Sequence, residues 1–220
     1  MSASGVPRAR AVSVGAARPL TVPGGRQFLS GIAKQPVDGP VAARPLGLAG
    51  DEQADLSVHG GLHKAVYAYP IEHLPFWRAQ RLARGLDAPH ALPPGFMGEN
   101  LLLEGLLEDR LWVGDTLRFD GSSCVLRVTG PREPCYKFCA VMGFAEAARV
   151  MVREGRCGFY LAVDEPGELR AGMAVRVTPG QRGLSVMQAV HAKWAKHRRC
   201  CKNSVWRAPG KRQQLSNQEW

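Results

Sequence analysis

The chain has 220 residues, 45% of them hydrophobic and 22% charged, with 25 glycines, 16 prolines and a formal net charge of +10. Such a length suits one full-sized domain with a small appendage, and the composition excludes a disordered or low-complexity protein. The charge is uneven: residues 181–220 hold nine Lys/Arg and one acid, whereas the remaining 180 hold 20 basic and 18 acidic side chains. A near-neutral body argues against a nucleic-acid-binding domain and leaves only weak, salt-dependent contact to the basic tail.

No stretch approaches the ~20 apolar residues of a membrane span. The start, "MSASGVPRARAVSVG", lacks the apolar core of a signal peptide, so a soluble cytoplasmic protein is expected. Six cysteines without a regular framework read as thiols in a reducing compartment.

Residues 10–15 alternate and predict a first strand; 26–37 predict a second, broken by Gly31 and closed by Pro36. Residues 38–61 hold two strand-length pieces between turns, and "KAVYAYP" (64–70) predicts a buried strand. A first helix is expected over 71–86, with Ile71, Leu74 and Leu82 near one face. After a loop at 89–98 come short strands in "ENLLLEGL" and "VGDTLRFD", then 123–130 with Cys124, Leu126 and Val128 on one face. A helix is expected over 143–158, two strands over 159–180, and an amphipathic helix over 184–196 with Leu184, Met187, Val190 and Trp194 inward. Many short strands with two inserted helices predict a mainly β fold, closed or nearly closed as a barrel.

Three stretches carry candidate chemistry. In "GPREPCYKF" (130–138), Pro134 is expected to open a helix, placing Cys135 in its first turn between Arg132 and Lys137. The helix dipole and both cations favour a thiolate there. The plain alternative is a buried, inert cysteine, and local sequence leaves the two open. In "DLSVHGGLHK" (55–64), Gly60 and Gly61 bring backbone N–H groups close to an anion such as a phosphate, with His59 and Lys64 as donors; the alternative is a tight turn. In "GFMGENL" (95–101), Glu99 and Asn100 precede a strand, and Asn100 has the paired donor and acceptor to read a heterocycle, unless the segment is a simple turn. Lys34 stands beside the strand-breaking Gly31, where a lysine is usually exposed. Walker, dinucleotide, GxSxG, HExxH and CxxC signatures are all missing from the sequence.

In order, "GDEQADLSVHGGLHKAVYAYP", "MGENLLLEG", "VGDTLRF", "PREPCYK" and "GFYLAV…AGMAV" resemble a MOSC domain, the module named from the C-terminal domain of molybdenum-cofactor sulfurase. The resemblance is greatest to its short, stand-alone bacterial branch, the YiiM-like proteins. It implies a mixed MOSC-type β-barrel over residues 10–180, with 181–220 as a basic segment that only faintly resembles the branch's C-terminal helices. It implies a pocket for molybdenum cofactor (molybdopterin), with Cys135 as thiolate ligand to molybdenum. It further implies reduction of N-hydroxylated substrates such as 6-hydroxylaminopurine, a small-molecule substrate class. Gly60, Gly61, Lys64, Glu99, Asn100, Arg132 and Lys137 would bind the cofactor, and His59 or Lys34 would supply a proton. A family-level association with pyridoxal phosphate comes with the same resemblance. With no flavin, haem or iron–sulfur signature in the sequence, electrons must come from a separate redox partner protein. The alternatives are a non-catalytic carrier of the cofactor or its sulfur, a metal-free cysteine nucleophile paired with His59, and a nucleic-acid binder acting through residues 181–220.

Overall fold

Alternating apolar positions set the frame. The computed structural model describes residues 5–22, 24–54 and 60–200, the side chains of 195–200 excepted. Its strands are β1 (Arg8–Val14), β2 (Arg18–Thr21), β3 (Gln27–Ser30), β4 (Gln35–Pro36), β5 (Val41–Arg44), β6 (Gly47–Leu48), β7 (Val66–Pro70), β8 (Leu101–Glu104), β9 (Thr116–Phe119), β10 (Val125–Pro131), β11 (Phe159–Glu165), β12 (Gly167–Leu169) and β13 (Val175–Thr178). Its helices are α1 (Leu74–Leu82), α2 (Tyr136–Met142), α3 (Ala147–Arg153) and α4 (Val186–Cys200). The fold is mainly β with a few helices, as expected.

The main sheet has the order β13-β9-β10-β11-β7-β8-β1-β4, with β12-β5-β6 as a smaller sheet and β2-β3 as a hairpin. Within the main sheet β7 and β8 pair in parallel, Ala68 opposite Leu101 and Tyr69 opposite Leu102. A parallel pair needs a crossover, and α1 lies in that connection. Both strands are covered on two faces. Val66 and Ala68 enter one apolar cluster with Leu101 and Leu103, while Tyr67 and Tyr69 enter the other with Leu102. Burial on both faces is why "KAVYAYP" reads as nearly continuous apolar sequence. The second cluster is filled from the helices by Trp77, Phe138, Met142 and Met151. Fully burying one such side chain contributes about 1.5–3 kcal/mol.

The outer edge of β1 is shared. Its C-terminal end pairs with β4, Ser13 opposite Pro36. At its N-terminal end the Ala9 N–H donates to Met173, the Gly172 N–H to Ala9 and the Val175 N–H to Pro7. Hydrogen bonding therefore reaches from β1 to the residues leading into β13, at the opposite end of the sheet.

Several boundaries differ from expectation. The helix expected over 143–158 is shorter, α3 at Ala147–Arg153, and a separate helix, α2, precedes it and ends where Gly143 takes the left-handed conformation (φ 81°). The 71–86 helix opens with a 3-10 turn at Ile71–His73 and stops at Leu82. Its inward residues are Leu74 and Trp77, whereas Leu82 is exposed. Residues 159–180 form three strands, not two, and β2 was hidden by Pro19 in an exposed hairpin. In α4 the buried stripe is Val186 and Val190, while Leu184 is exposed. This helix docks on the body, the Met187 N–H donating to the Glu108 carbonyl. Among the described residues, no helix is long and apolar enough to cross a membrane.

Candidate functional site

The site begins where β10 ends. The Arg132 N–H donates to the Gly158 carbonyl at 3.2 Å. Its side chain then turns inward and is buried, the guanidinium 4.9 Å from the ring centroids of both Tyr67 and Phe138. A planar, weakly hydrated guanidinium tolerates such stacking better than an ammonium does. Burial works against its charge, but Tyr67, Tyr160, Cys135 and Cys157 outweigh that and hold its pKa above the ordinary value. A fixed cation thus lies within electrostatic range of Cys135.

Cys135 caps α2 from outside, with extended backbone (φ −121°, ψ 178°), and its carbonyl accepts the Phe138 N–H at 3.0 Å. It is half-buried, and its side chain makes no capping hydrogen bond. The expectation of Pro134 as first helical residue and Cys135 within the first turn is corrected by two residues: the helix begins at Tyr136, with Cys135 just before it. With only seven residues in α2, the dipole argument weakens and the Arg132 charge carries more of the case.

Lys137 donates from Nζ to the Leu29 carbonyl at 2.8 Å, which pins its head to β3. Lys34 is not exposed, as a lone lysine would be; it is buried and paired with Asp51. Asp51 Oδ1 also accepts the Gly15 N–H at 3.0 Å, and its Oδ2 accepts from Asn100 Nδ2 at 2.9 Å. Asn100 Nδ2 donates further to the Ser13 carbonyl, and its Oδ1 accepts the Tyr67 N–H at 3.1 Å. The Asn100 amide is therefore spent on β1, β7 and Asp51, a correction to the expectation that it reads a heterocycle.

Glu99 is corrected in the same way. Its Oε1 accepts the Gly95 N–H at 2.7 Å and its Oε2 the Met97 N–H at 3.0 Å, so the carboxylate ties its own loop behind the cleft wall. Burial pushes its pKa up to about 7 despite those hydrogen bonds. The folded state then holds a proton that the unfolded chain releases near 4.5. The associated stability is complete below pH 4.5 and lost as pH rises towards 7, about 3 kcal/mol in all. Glu99→Gln should abolish that slope. Urea unfolding of both proteins at pH 5 and pH 8 checks it, and parallel pH dependence in the two would refute a proton held on Glu99.

Gly60 and Gly61 both take positive φ (93° and 76°), a backbone conformation that strains any other residue, and a Cβ on Gly60 would also displace the Gln53 side chain. Lys64 falls in the following 3-10 turn, not at a strand start, its Nζ 5.6 Å from the Tyr160 ring centroid. His59 lies outside the described residues.

These parts meet in one open cleft of about 670 Å³, its mouth included. Cys135, Arg132, Lys34, Lys64, Lys137 and Gly60 all line it, with Asn100 in the wall; Gly61 and Glu99 stand beside it. Four cationic side chains face two acids, Asp51 and Glu52, so the cleft favours an anion. Asp51, Tyr67 and Tyr160 also line it, and sequence reasoning passed over all three. Asp51 lay among the turns of residues 38–61, Tyr67 in the strand expected to be buried, and Tyr160 in the strands expected over 159–180. Among the described residues, no three His, Cys, Asp or Glu side chains form a set that holds a metal by itself.

The MOSC domain model matches residues 55–176. The chain is 37% identical over 166 residues to the uncharacterized protein YflK of Bacillus subtilis, spanning 75% of this chain and 71% of that one. It is 34% identical over 165 residues to protein YiiM of Escherichia coli, with the same shares. The chain belongs to the MOSC domain family. A third MOSC relative, a protein named "Reductase" from Gibberella moniliformis, is 32% identical over 173 residues, 77% of this chain but 30% of that longer one. The crystal structure of YiiM from Geobacillus stearothermophilus superposes with a TM-score of 0.67 at 26% identity, covering 86% of this chain and 85% of that one. The matched MOSC region contains Lys64, Asn100, Arg132, Cys135 and Lys137, but Lys34 and Asp51 precede it. The family links the chain to molybdenum-cofactor-related function.

Proposed function

We propose that this protein binds molybdenum cofactor in the cleft and reduces N-hydroxylated bases such as 6-hydroxylaminopurine, with Cys135 as thiolate ligand to the metal. The observation that carries this reading is the convergence of Cys135 with Arg132, Lys34, Lys64 and Lys137 in one cleft. The donor set fits the group: a soft thiol suits a metal already held by sulfur, and the cations suit a phosphate. Arg132, Lys64, Lys137 and the Gly60–Gly61 turn would hold the cofactor's anionic parts. When bound, the cofactor supplies a two-electron redox centre.

The chain's own residues supply position and protons. The net change is R–NH–OH + 2 H⁺ + 2 e⁻ → R–NH₂ + H₂O, so the breaking N–O bond needs a proton on the departing oxygen. Lys34 lines the cleft and is paired with Asp51, and in this reading it would be the proton donor. Arg132, stacked on the rings of Tyr67 and Phe138, would hold its charge at a fixed point of the cleft lining. Electrons come from a separate protein; the fungal relative, where the matched part is 30% of a longer "Reductase", supports a reductive role and favours enzyme over carrier. In the same reading, the hydrogen bonds from β1 to residues 172–175 close the sheet into the MOSC-type barrel.

The test is metal and pterin analysis of protein made in a host competent for cofactor synthesis. Wild type should carry about one molybdenum per chain, and Cys135→Ala should lose it or bind it with an altered absorption spectrum. Wild type empty of both metal and pterin, beside a loaded control enzyme from the same host, would sink the reading.

A further inference from the structure

Next to Ser30, Cys135 and Lys137 of the cleft wall lies an aromatic pair, Phe28 and Tyr136, that neither apolar cluster includes. Tyr136 directly follows Cys135 and is 47% exposed, high for so large a ring. Its ring meets Phe28 edge-on, centroids 5.2 Å apart and planes at 66°. Phe28 lies on β3 two residues before Ser30, so both side chains stand on the same side of the strand, and Ser30 is part of the cleft wall. The Arg26 guanidinium sits 5.1 Å from the Phe28 centroid. The bond from Lys137 to the Leu29 carbonyl fastens this hairpin to the start of α2, fixing the pair beside the thiol.

An edge-to-face pair leaves ring surface uncovered, and here the two rings adjoin Cys135, Lys137 and Ser30 of the cationic cleft. A planar heteroaromatic ring is the ligand that such a lip recognises: it stacks on Tyr136 or Phe28, and an arginine plane beside it adds to the same contact. We infer that Phe28 and Tyr136, with Arg26, form a stacking lip that selects heteroaromatic N-hydroxylated substrates over open-chain ones. The inference rests on the reductase reading for its substrates, but the binding it asserts does not need turnover.

The experiment compares wild type, Tyr136→Ala and Tyr136→Phe on 6-hydroxylaminopurine and on acetamidoxime, which carries N–OH without a ring. A small-molecule reductant serves as the electron source. In Tyr136→Ala the ratio of kcat/KM for the purine to that for the amidoxime should fall about tenfold, and Tyr136→Phe should restore it. In parallel, adenine binding is titrated by saturation-transfer NMR on the same proteins without reductant. Adenine should bind wild type about ten times more tightly than Tyr136→Ala. Thermal melts confirm that each variant is folded. An unchanged ratio with unchanged adenine affinity would overturn the lip, as would equal losses on both substrates. If wild type reduces neither compound, the reductase reading fails while the adenine titration still decides the lip.

Discussion

Cys135→Ser is expected to lower reduction of 6-hydroxylaminopurine by at least about a hundredfold while leaving the fold as stable as wild type or slightly more so. The two halves of that result have separate causes. Changing groups that merely orient a metal's ligands costs about 10–100-fold in affinity or activity, so removing a direct thiolate ligand costs at least the upper end. Serine is a hard oxygen donor with a far higher pKa, and it does not replace a soft thiolate on a sulfur-bound metal. Stability should move the other way. Cys135 occupies the position just before α2 and makes no capping hydrogen bond from its side chain. Serine is among the best residues there and gains up to about 1 kcal/mol by accepting an N–H of the first turn. The measurement is turnover of cofactor-loaded protein beside a urea titration of the same samples. Activity within about threefold of wild type would exclude Cys135 as ligand. Lost activity together with a collapsed fold would show that the residue is packing and not chemistry.

The thiol and its cation were legible because they are close in sequence: Arg132 and Cys135 are three residues apart, and any fold keeps them near each other. The strands were legible for a related reason, since alternation in "SCVLRVTG" is a local record of one buried face, and Cys124, Leu126 and Val128 on that face are all fully buried. What was not legible is long-range. Lys34 and Asp51 meet across a strand, a turn and a small sheet, and neither carries a local mark of being buried. Asn100 has the right groups to read a ligand, but whether they face the ligand or the backbone of Ser13 and Tyr67 is decided by how β1 and β7 flank it. Glu99 likewise looked like a site acid and proves to be the tie of its own loop. β2 escaped, although its partner β3 falls within the strand expected over 26–37, because a short exposed strand has no apolar period to report. Yet this hairpin supplies Ser30 to the cleft wall and Phe28 to the pair with Tyr136, so a partly legible element forms one side of the cleft.

The second large effect is expected at Asp51. Asp51→Ala should cost about 3–5 kcal/mol of stability, and Lys34→Met clearly less, although the two side chains form one ion pair. The asymmetry follows from what each change leaves behind. Asp51 is the shared acceptor of Lys34 Nζ, the Gly15 N–H and Asn100 Nδ2. Without it, a buried ammonium has lost its counter-charge, and a backbone N–H and a side-chain amide lose an acceptor together. Without Lys34, by contrast, the Asp51 carboxylate keeps two N–H donors, and a methionine fills the space of the lysine stem. Urea unfolding of the two single variants and the double variant closes the cycle, and the double should lie above Asp51→Ala because the orphaned charge is gone. Equal costs for the two singles would mean that the Lys34 ammonium reaches water when Asp51 is absent, and the pair is then a surface contact of small worth. The outcome bears on chemistry as well as folding. A lysine fixed by a buried carboxylate presents its Nζ at one point of the cleft wall, whereas one that swings to solvent presents it nowhere in particular, and in the proposed reaction only the fixed lysine would be positioned for the departing oxygen of an N–OH group.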